Sequence, residues 1–241
     1  MTPATTQTDR QLRQLEQRLT PSARREAITA AARLTWRLSR SAGAVAKRLL
    51  DILMACGVLI PALPVMTLAA ILIKLTDQGP VLFWQTRVGK WGRVFPFPKF
   101  RSMVVDAEAR QKELMSANQH GSGVTFKIRR DPRVTWIGRI IRKTSIDELP
   151  QLWCVLKGDM SLVGPRPPLE KEVARYTLAD RRRLDATPGI TCIWQVSGRS
   201  DIPFPQQVEL DVEYIEKQSL GEDLRLLIKT IPAVITGRGA Y

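Results

Sequence analysis

The sequence contains a single histidine, His120, and three cysteines, Cys56, Cys154 and Cys192, none in a CxxC pair. One histidine in a Gly- and Ser-rich loop gives little support to a Ser-His-Asp triad or a zinc cluster. An odd number of isolated cysteines argues against a disulfide framework and suits a reducing compartment, where all three read as buried small apolar residues. P-loop, GxGxxG and zinc-finger spacings are missing, and so is any internal repeat. Acidic residues are scarce as well: 23 Asp and Glu stand against 37 Lys and Arg, a formal net charge of +14. That excess favours anionic partners, whether nucleic acid, an acidic membrane face or phosphorylated small molecules. An enzyme of this composition has to work with carboxylates and bound cations.

What is present divides into three parts. Residues 1–46 open with a polar tail, Met1 to Thr8, expected to be disordered. From Asp9 to Ser41 there are eight arginines and three acidic residues among loosely periodic leucines and alanines, and Pro21 interrupts the run. We read two amphipathic helices, either packed in solvent or lying on an anionic bilayer surface. Residues 47–76 hold the apolar segment: Ile52 to Ile73 is 22 residues without a formal charge. About 20 residues are enough to cross the hydrocarbon core. Pro61 and Pro64 stand at its centre, where each removes a helical hydrogen bond and bends the axis. Lys47 and Arg48 precede it and Lys74 follows, so basic residues give no clear polarity. Both a kinked spanning helix and a re-entrant helix that returns to the same face satisfy these facts.

Residues 77–241 read as a compact domain. Val81 to Trp84 is a short strand, Gly89 to Gly92 a hairpin turn, and Val94-Phe95 the start of a second strand. Pro96 and Pro98 are expected to keep that strand at an edge and to interrupt it. Lys99 and Arg101 can reach one phosphate if the chain is extended, or can simply line a solvated edge. Asp106 to Ser116 is helical by composition and Asn118 to Gly123 a loop. Trp136 to Arg142 is helix-like, and Leu149 to Leu156 reads as a buried helix with Trp153 and Leu156 facing the core. Asp147 and Glu148 stand side by side before it, with Arg142 upstream and Pro150 downstream. Near a helix N-terminus the macrodipole favours their ionised forms. Adjacent acidic residues open many solvated helices; an ionised aspartate there can also bind a divalent cation or act as a nucleophile.

Residues 158–168, GDMSLVGPRPP, form a rigid loop that presents Arg166 between prolines, either to a phosphate or as a structural turn. Leu169 to Asp185 reads as one charged amphipathic helix with a solvated Arg181-Arg182-Arg183 run. Cys192 to Val196 is strand-like. Trp194 is able to stack on a base and Arg199 to hold a diphosphate, although a tryptophan there is more often part of a core. Val208 to Glu216 is helical. So is Asp223 to Ile235, with Leu224, Leu227, Ile228 and Ile231 on one side.

Taken in order, KRLLD at 47–51, the proline-broken apolar segment, KFRSM at 99–103, TSIDELPQL at 144–152, GDMSLVGPRP at 158–167, PGIT at 188–191 and WQVSGRS at 194–200 resemble the bacterial sugar transferases. These are monotopic phosphoglycosyl transferases, and the resemblance runs from Lys47 to Tyr241. The short chain and the ending GRGAY look like the ExoY-like members used in exopolysaccharide synthesis. The resemblance implies an α+β, mainly helical fold: a re-entrant membrane helix bent at Pro61 and Pro64, a small β-hairpin and a catalytic domain on the cytoplasmic face of the bacterial inner membrane. It also implies a reaction, in which a UDP-hexose, galactose or glucose, gives its hexose-1-phosphate to undecaprenyl phosphate and releases UMP. Asp147 would be the nucleophile, forming a phosphosugar–aspartate intermediate, and Asp147 with Glu148 would hold Mg2+. Lys99, Arg101, Arg142, Arg166, Trp194, Gln195, Arg199 and Asp223 match substrate-binding motif positions. The partners implied are the UDP-sugar, the polyprenyl phosphate and membrane lipid. A nucleic-acid partner fits poorly with the uncharged segment. The hexose and any homo-oligomer stay open. Three departures from the family pattern stand out: Ile60 where serine commonly precedes the first membrane proline, Cys192 where glycine is usual, and Pro96 and Pro98 before KFRSM.

Overall fold

A computed structural model describes residues 21–111, 131–198 and 201–236. The polar tail and first amphipathic helix, the loop with His120, Arg199 and the GRGAY ending lie outside the described residues. The chain divides into two compact units, residues 1–47 and 48–241.

A single helix, α1, covers Pro21–Asp77. A proline suits its first turn, where the missing amide has no intrahelical partner anyway. Ala42–Asp77 is long and apolar enough to cross a membrane, by length and composition, and little of it is buried. Pro61 and Pro64 lie within the helix, which continues through both. Two stretches of α1 dock on the rest of the second unit. Past its midpoint Ala55 enters a core with Phe95, Phe97, Val155, Met160 and Tyr214, and Leu59 packs on its edge. Near its end Ala69 and Ile73 are buried with Phe100, Ile137 and Ile141. Between these, Ile60, Leu63, Val65 and Leu68 are exposed.

Polar fastenings repeat the pattern. Arg48 donates to the carbonyls of Val155 (2.5 Å) and Leu156 (2.7 Å). These belong to the last turn of a following helix, where orphan carbonyls favour a cation. The buried Asp51 carboxylate accepts from the Leu162 amide at 3.1 Å. At the far end Asp77 pairs with Arg101.

Strands β1 (Leu82–Val88) and β2 (Val94–Phe100) form an antiparallel hairpin. The turn between them carries Trp91 at φ 56° and Gly92 at φ 83°. Contrary to the expected interruption, β2 runs through Pro96 and Pro98, which pair with Thr86 and Trp84. The parity explains this. The Arg101 amide donates to the Val81 carbonyl at 2.9 Å, which makes Leu82–Phe100 a non-hydrogen-bonded pair. Residues 98 and 96 share that parity, so no ladder bond asks for their amides.

Helix α2 (Ala107–Gln111) is followed by α3 (Trp136–Lys143), whose N-cap Thr135 accepts from the Gly138 amide at 3.0 Å. A 3-10 turn, Ile146–Gln151, then leads into α4 (Leu152–Lys157). Pro150 falls inside that turn. Leu152, Cys154 and Val155 are buried and Leu156 packs on the core, whereas Trp153 is 57% exposed. The expectation that Trp153 faces the core is therefore wrong, because the 3-10 turn sets α4 in a register that presents its neighbours instead. Gly158 closes α4 at φ 95°, a conformation that favours glycine.

The proline-rich stretch contains a buried strand, β3 (Ser161–Val163), paired in parallel with β4 (Gly189–Thr191). The strand expected at Cys192–Val196 is thus displaced to 189–191, and Ile193–Ser197 forms α7. The single helix expected over Leu169–Asp185 is instead α5 (Glu170–Val173), α6 (Leu178–Arg181) and a 3-10 turn, Arg182–Asp185. Thr177 restarts the chain as a capping box with Asp180. Helices α8 (Phe204–Lys217) and α9 (Leu220–Thr236) complete the unit. On α9 the buried positions are Asp223 and Leu226, while Leu224, Ile228 and Ile231 face outward.

Candidate active site

The acidic pair occupies the first turn of the 3-10 segment Ile146–Gln151. Ser145 precedes it in the left-handed region at φ 57°, a conformation that costs an L-residue about 1–2 kcal/mol. That reversal turns the chain from α3 into the acidic turn, and the Glu148 amide closes it by donating to the Ser145 carbonyl at 3.2 Å. β2 and α3 pack against this turn. They bring Lys99, the residue before the end of β2, and Arg142, in the last turn of α3, into the field of Asp147. Arg166, from the loop after β3, reaches Glu148 with Nη1 3.3 Å from Oε1.

The electrostatics of Asp147 differ from what the helix-dipole argument gave. Burial, and then the neighbouring Glu148 charge, raise Asp147 to about 7, against the pull of Lys99, Arg142 and Arg166. Desolvation penalises the charged form more than one 3-10 turn can favour it. Lys99 moves the other way, down to about 8, through burial and then the positive charge of Arg87, with Asp147 opposing. Its ammonium also lies 5.2 Å from the Phe83 ring, its cross-strand partner. Glu148 holds Arg166 above its ordinary value although burial acts to lower it. Four cations, Arg87, Lys99, Arg142 and Arg166, therefore face two carboxylates. Such a cluster attracts multiply charged anions.

Arg87 was missed in the sequence. It is 8% exposed on β1, and its Nη1 donates to the Pro167 carbonyl at 3.0 Å and its Nη2 to Gln85 Oε1 at 2.8 Å. Its guanidinium lies 5.1 Å from the Phe97 ring. Burial, and then Arg166, lower it to about 10. The available signal was an arginine placed late in a strand that opens on Leu82-Phe83-Trp84, opposite Phe95 in the hairpin register.

Among the described residues, the other sequence candidates make contacts of their own. Arg101 is buried at the hairpin base and pairs with Asp77 beneath Gly79. Asp223 is buried and accepts from the Tyr214 hydroxyl at 2.6 Å, and the same hydroxyl oxygen lies 3.0 Å from the Val163 carbonyl oxygen. Trp194 is buried, facing Asp211. Gln195 Oε1 accepts from the Cys192 thiol at 3.1 Å. Cys192, at the glycine position of the motif, is fully buried, and burial pushes its thiol well up. Cys154 is also buried and Cys56 is only partly so, and all three thiols are free. The expected solvated arginine run is corrected at Arg183, which is buried against Asp211, an ion pair that spacing alone does not disclose.

No group of three or more His, Cys, Asp or Glu side chains gathers as a metal cage among the described residues. A magnesium ion needs only one or two carboxylates when substrate phosphates complete its shell. Asp147 and Glu148 fit that requirement, since their mutual repulsion is what a cation would relieve.

The sequence of the chain is similar to those of known proteins. The chain is 50% identical over 198 residues to the galactosyl transferase CpsE of Streptococcus agalactiae, covering 81% of this chain and 43% of that protein. It is 43% identical over 208 residues to the undecaprenyl-phosphate galactose phosphotransferase of Salmonella typhimurium, covering 85% and 43% respectively. The exopolysaccharide production protein ExoY of Sinorhizobium fredii is 39% identical over 205 residues, covering 84% of this chain and 91% of ExoY. The chain thus spans under half the length of the first two relatives and most of the third. The family model described as bacterial sugar transferase matches residues 42–237, which include the apolar helix, the hairpin and the whole charged cluster, and the chain belongs to that family.

Proposed function

We propose that this protein transfers hexose-1-phosphate from a UDP-hexose, galactose or glucose, to undecaprenyl phosphate, releasing UMP, as the first membrane step of exopolysaccharide synthesis. The observation that carries the reading is the half-buried Asp147–Glu148 pair set among Arg87, Lys99, Arg142 and Arg166. In the first half-reaction an ionised Asp147 oxygen bonds to the phosphorus bearing the sugar, and the bond from that phosphorus to the bridging oxygen breaks, so the electron pair leaves with UMP. In the second, an oxygen of the lipid phosphate bonds to the same phosphorus and the aspartyl bond breaks, restoring the carboxylate. Lys99, Arg142 and Arg166 hold the diphosphate and offset its charge. Mg2+, bound by Asp147 and Glu148, would add further neutralisation of the phosphate charge. Arg166, paired with Glu148, keeps that carboxylate turned into the site.

The membrane reading is re-entrant, with the catalytic unit on the cytoplasmic face of the inner membrane. Its support is that both ends of the apolar segment fasten to the same body: Arg48 and Asp51 to the 155–162 region, Asp77 to Arg101. A segment crossing about 30 Å of hydrocarbon would carry one of those ends to the opposite side. The exposed stretch around Ile60 to Leu68 then enters the lipid. Pro61 and Pro64 deprive two carbonyls of their helical partners there and favour the bend.

The test is UMP release from a panel of UDP-sugars in nanodiscs, with and without undecaprenyl phosphate and Mg2+, beside Asp147→Asn. Lipid- and metal-dependent release that disappears in a folded Asp147→Asn variant supports the reading, and the preferred donor names the sugar. Absence of release from every donor would favour a non-catalytic scaffold of a polysaccharide assembly complex.

A further inference from the structure

We infer that Arg87 is a positioning residue for this reaction, clamping the Pro165–Pro168 loop so that Arg166 stays in register with Glu148. The inference rests on the proposed transfer reaction. The loop reads Pro165-Arg166-Pro167-Pro168, and three of its four residues have no amide proton. Such a segment cannot hold itself in place by donating backbone hydrogen bonds, so it has to be held through its carbonyls. The structure shows three such fastenings. The Gly189 amide, at the start of β4, donates to Pro165 at 2.9 Å. Arg87 Nη1 donates to Pro167 at 3.0 Å, and the next residue on β1, Val88, donates its amide to Pro168 at 2.9 Å.

Two of the three come from consecutive residues at the end of β1, on the far side of Arg166 from Gly189. The backbone on either side of Arg166 is thus held by β4 and β1, and from that position its guanidinium reaches Glu148. Arg87 is itself fixed by Gln85 and by the Phe97 ring, so it is a rigid support. The arrangement also sets two like charges close together, and each disfavours the other. A clamp built only for stability could use a neutral donor and avoid that cost. Placing a guanidinium here adds positive potential behind Arg166, where a diphosphate binds in the proposed reaction.

The test uses the full chain in nanodiscs, with Arg87→Met, Arg87→Lys, Arg166→Met and the Arg87→Met/Arg166→Met double variant. Hydrogen exchange is read at the amides of Val88 and Gly189. Steady-state UMP release gives kcat and KM for the preferred donor. Arg87→Met should accelerate exchange at both amides without a matching change in α8. It should lower kcat/KM about 10- to 100-fold, the loss expected for a charge-assisted hydrogen bond. In the Arg166→Met background the same change should cost less than about threefold, because the group it positions is gone. Arg87→Lys, which keeps a cation but not the fork, should recover part of the loss; it also serves if the methionine variant does not fold. Equal factors in the two backgrounds, or unchanged exchange at both amides, would overturn the clamp. If the wild type turns over no donor, the transfer reaction itself fails, and the exchange measurement alone decides whether Arg87 holds the loop.

Discussion

Arg183→Met tests the reasoning about buried charge in this protein most severely. Arg183 and Asp211 side chains are 4% and 0% exposed, with Nη2 2.6 Å and Nε 2.8 Å from the same carboxylate oxygen. The guanidinium also donates to the Tyr176 hydroxyl at 3.2 Å and lies 5.9 Å and 5.5 Å from the Tyr176 and Phe204 rings. Methionine keeps much of the apolar stem but leaves Asp211 without its cation in a dry site. Breaking such a pair from one side costs about 3–5 kcal/mol, whereas replacing both partners by apolar residues is often close to neutral. We therefore expect Arg183→Met to lose about 3–5 kcal/mol and Arg183→Met/Asp211→Leu to lose less than about 2 kcal/mol.

The loss should also depend on pH. Burial already raises Asp211, with Arg183 opposing, so removing Arg183 raises it further above the unfolded value of about 3.9. Between those two values the folded variant binds more protons than the unfolded chain. Its stability must then rise as pH falls through the folded pKa, so the deficit against wild type narrows from pH 7 towards pH 5. The assay is urea unfolding in nanodiscs, followed by tryptophan fluorescence, since Trp194 faces Asp211. A single-variant loss under about 1 kcal/mol, or a double variant as unstable as the two single losses added, would refute the argument.

Other consequences follow from the same contacts. Gly138→Ala places a Cβ well inside van der Waals contact with the Ser102 carbonyl oxygen, so α3 must move off the segment after β2; a loss of at least about 2 kcal/mol in the same unfolding assay is expected, with UMP release falling as Arg142 shifts. Arg48→Met removes two hydrogen bonds to the last turn of α4 and should cost about 2–3 kcal/mol, read as a lower unfolding midpoint. Trp153→Ala, at an exposed site, should change stability by less than about 0.5 kcal/mol, and a larger loss would mean that α4 turns this side chain into the core. Cysteines introduced at Ile60 and Leu63 should resist a membrane-impermeant thiol reagent applied from the periplasmic side of intact cells, and labelling there would sink the re-entrant topology.

The sequence alone determined the elements whose signals are local. The apolar segment is legible because 22 uncharged residues in succession match the thickness of a bilayer core, and the hairpin because GKWG separates two β-prone runs. The family was legible because its motifs are contiguous blocks in a fixed order. The acidic pair and the basic positions Lys99, Arg142 and Arg166 could be named for the same reason. Which cations actually meet was decided by tertiary structure. Arg101 lies two residues from Lys99, yet it turns to Asp77, and Arg87 joins the cluster only because the hairpin register and the proline-rich loop bring it there. The direction of the Asp147 shift was also hidden, since desolvation depends on what packs over the carboxylate and not on its neighbours in sequence. Arg183 reads as one more surface arginine until α8 supplies Asp211, 28 residues away. Composition and spacing carry short-range information, whereas burial and charge pairing are set by which distant segments share a core.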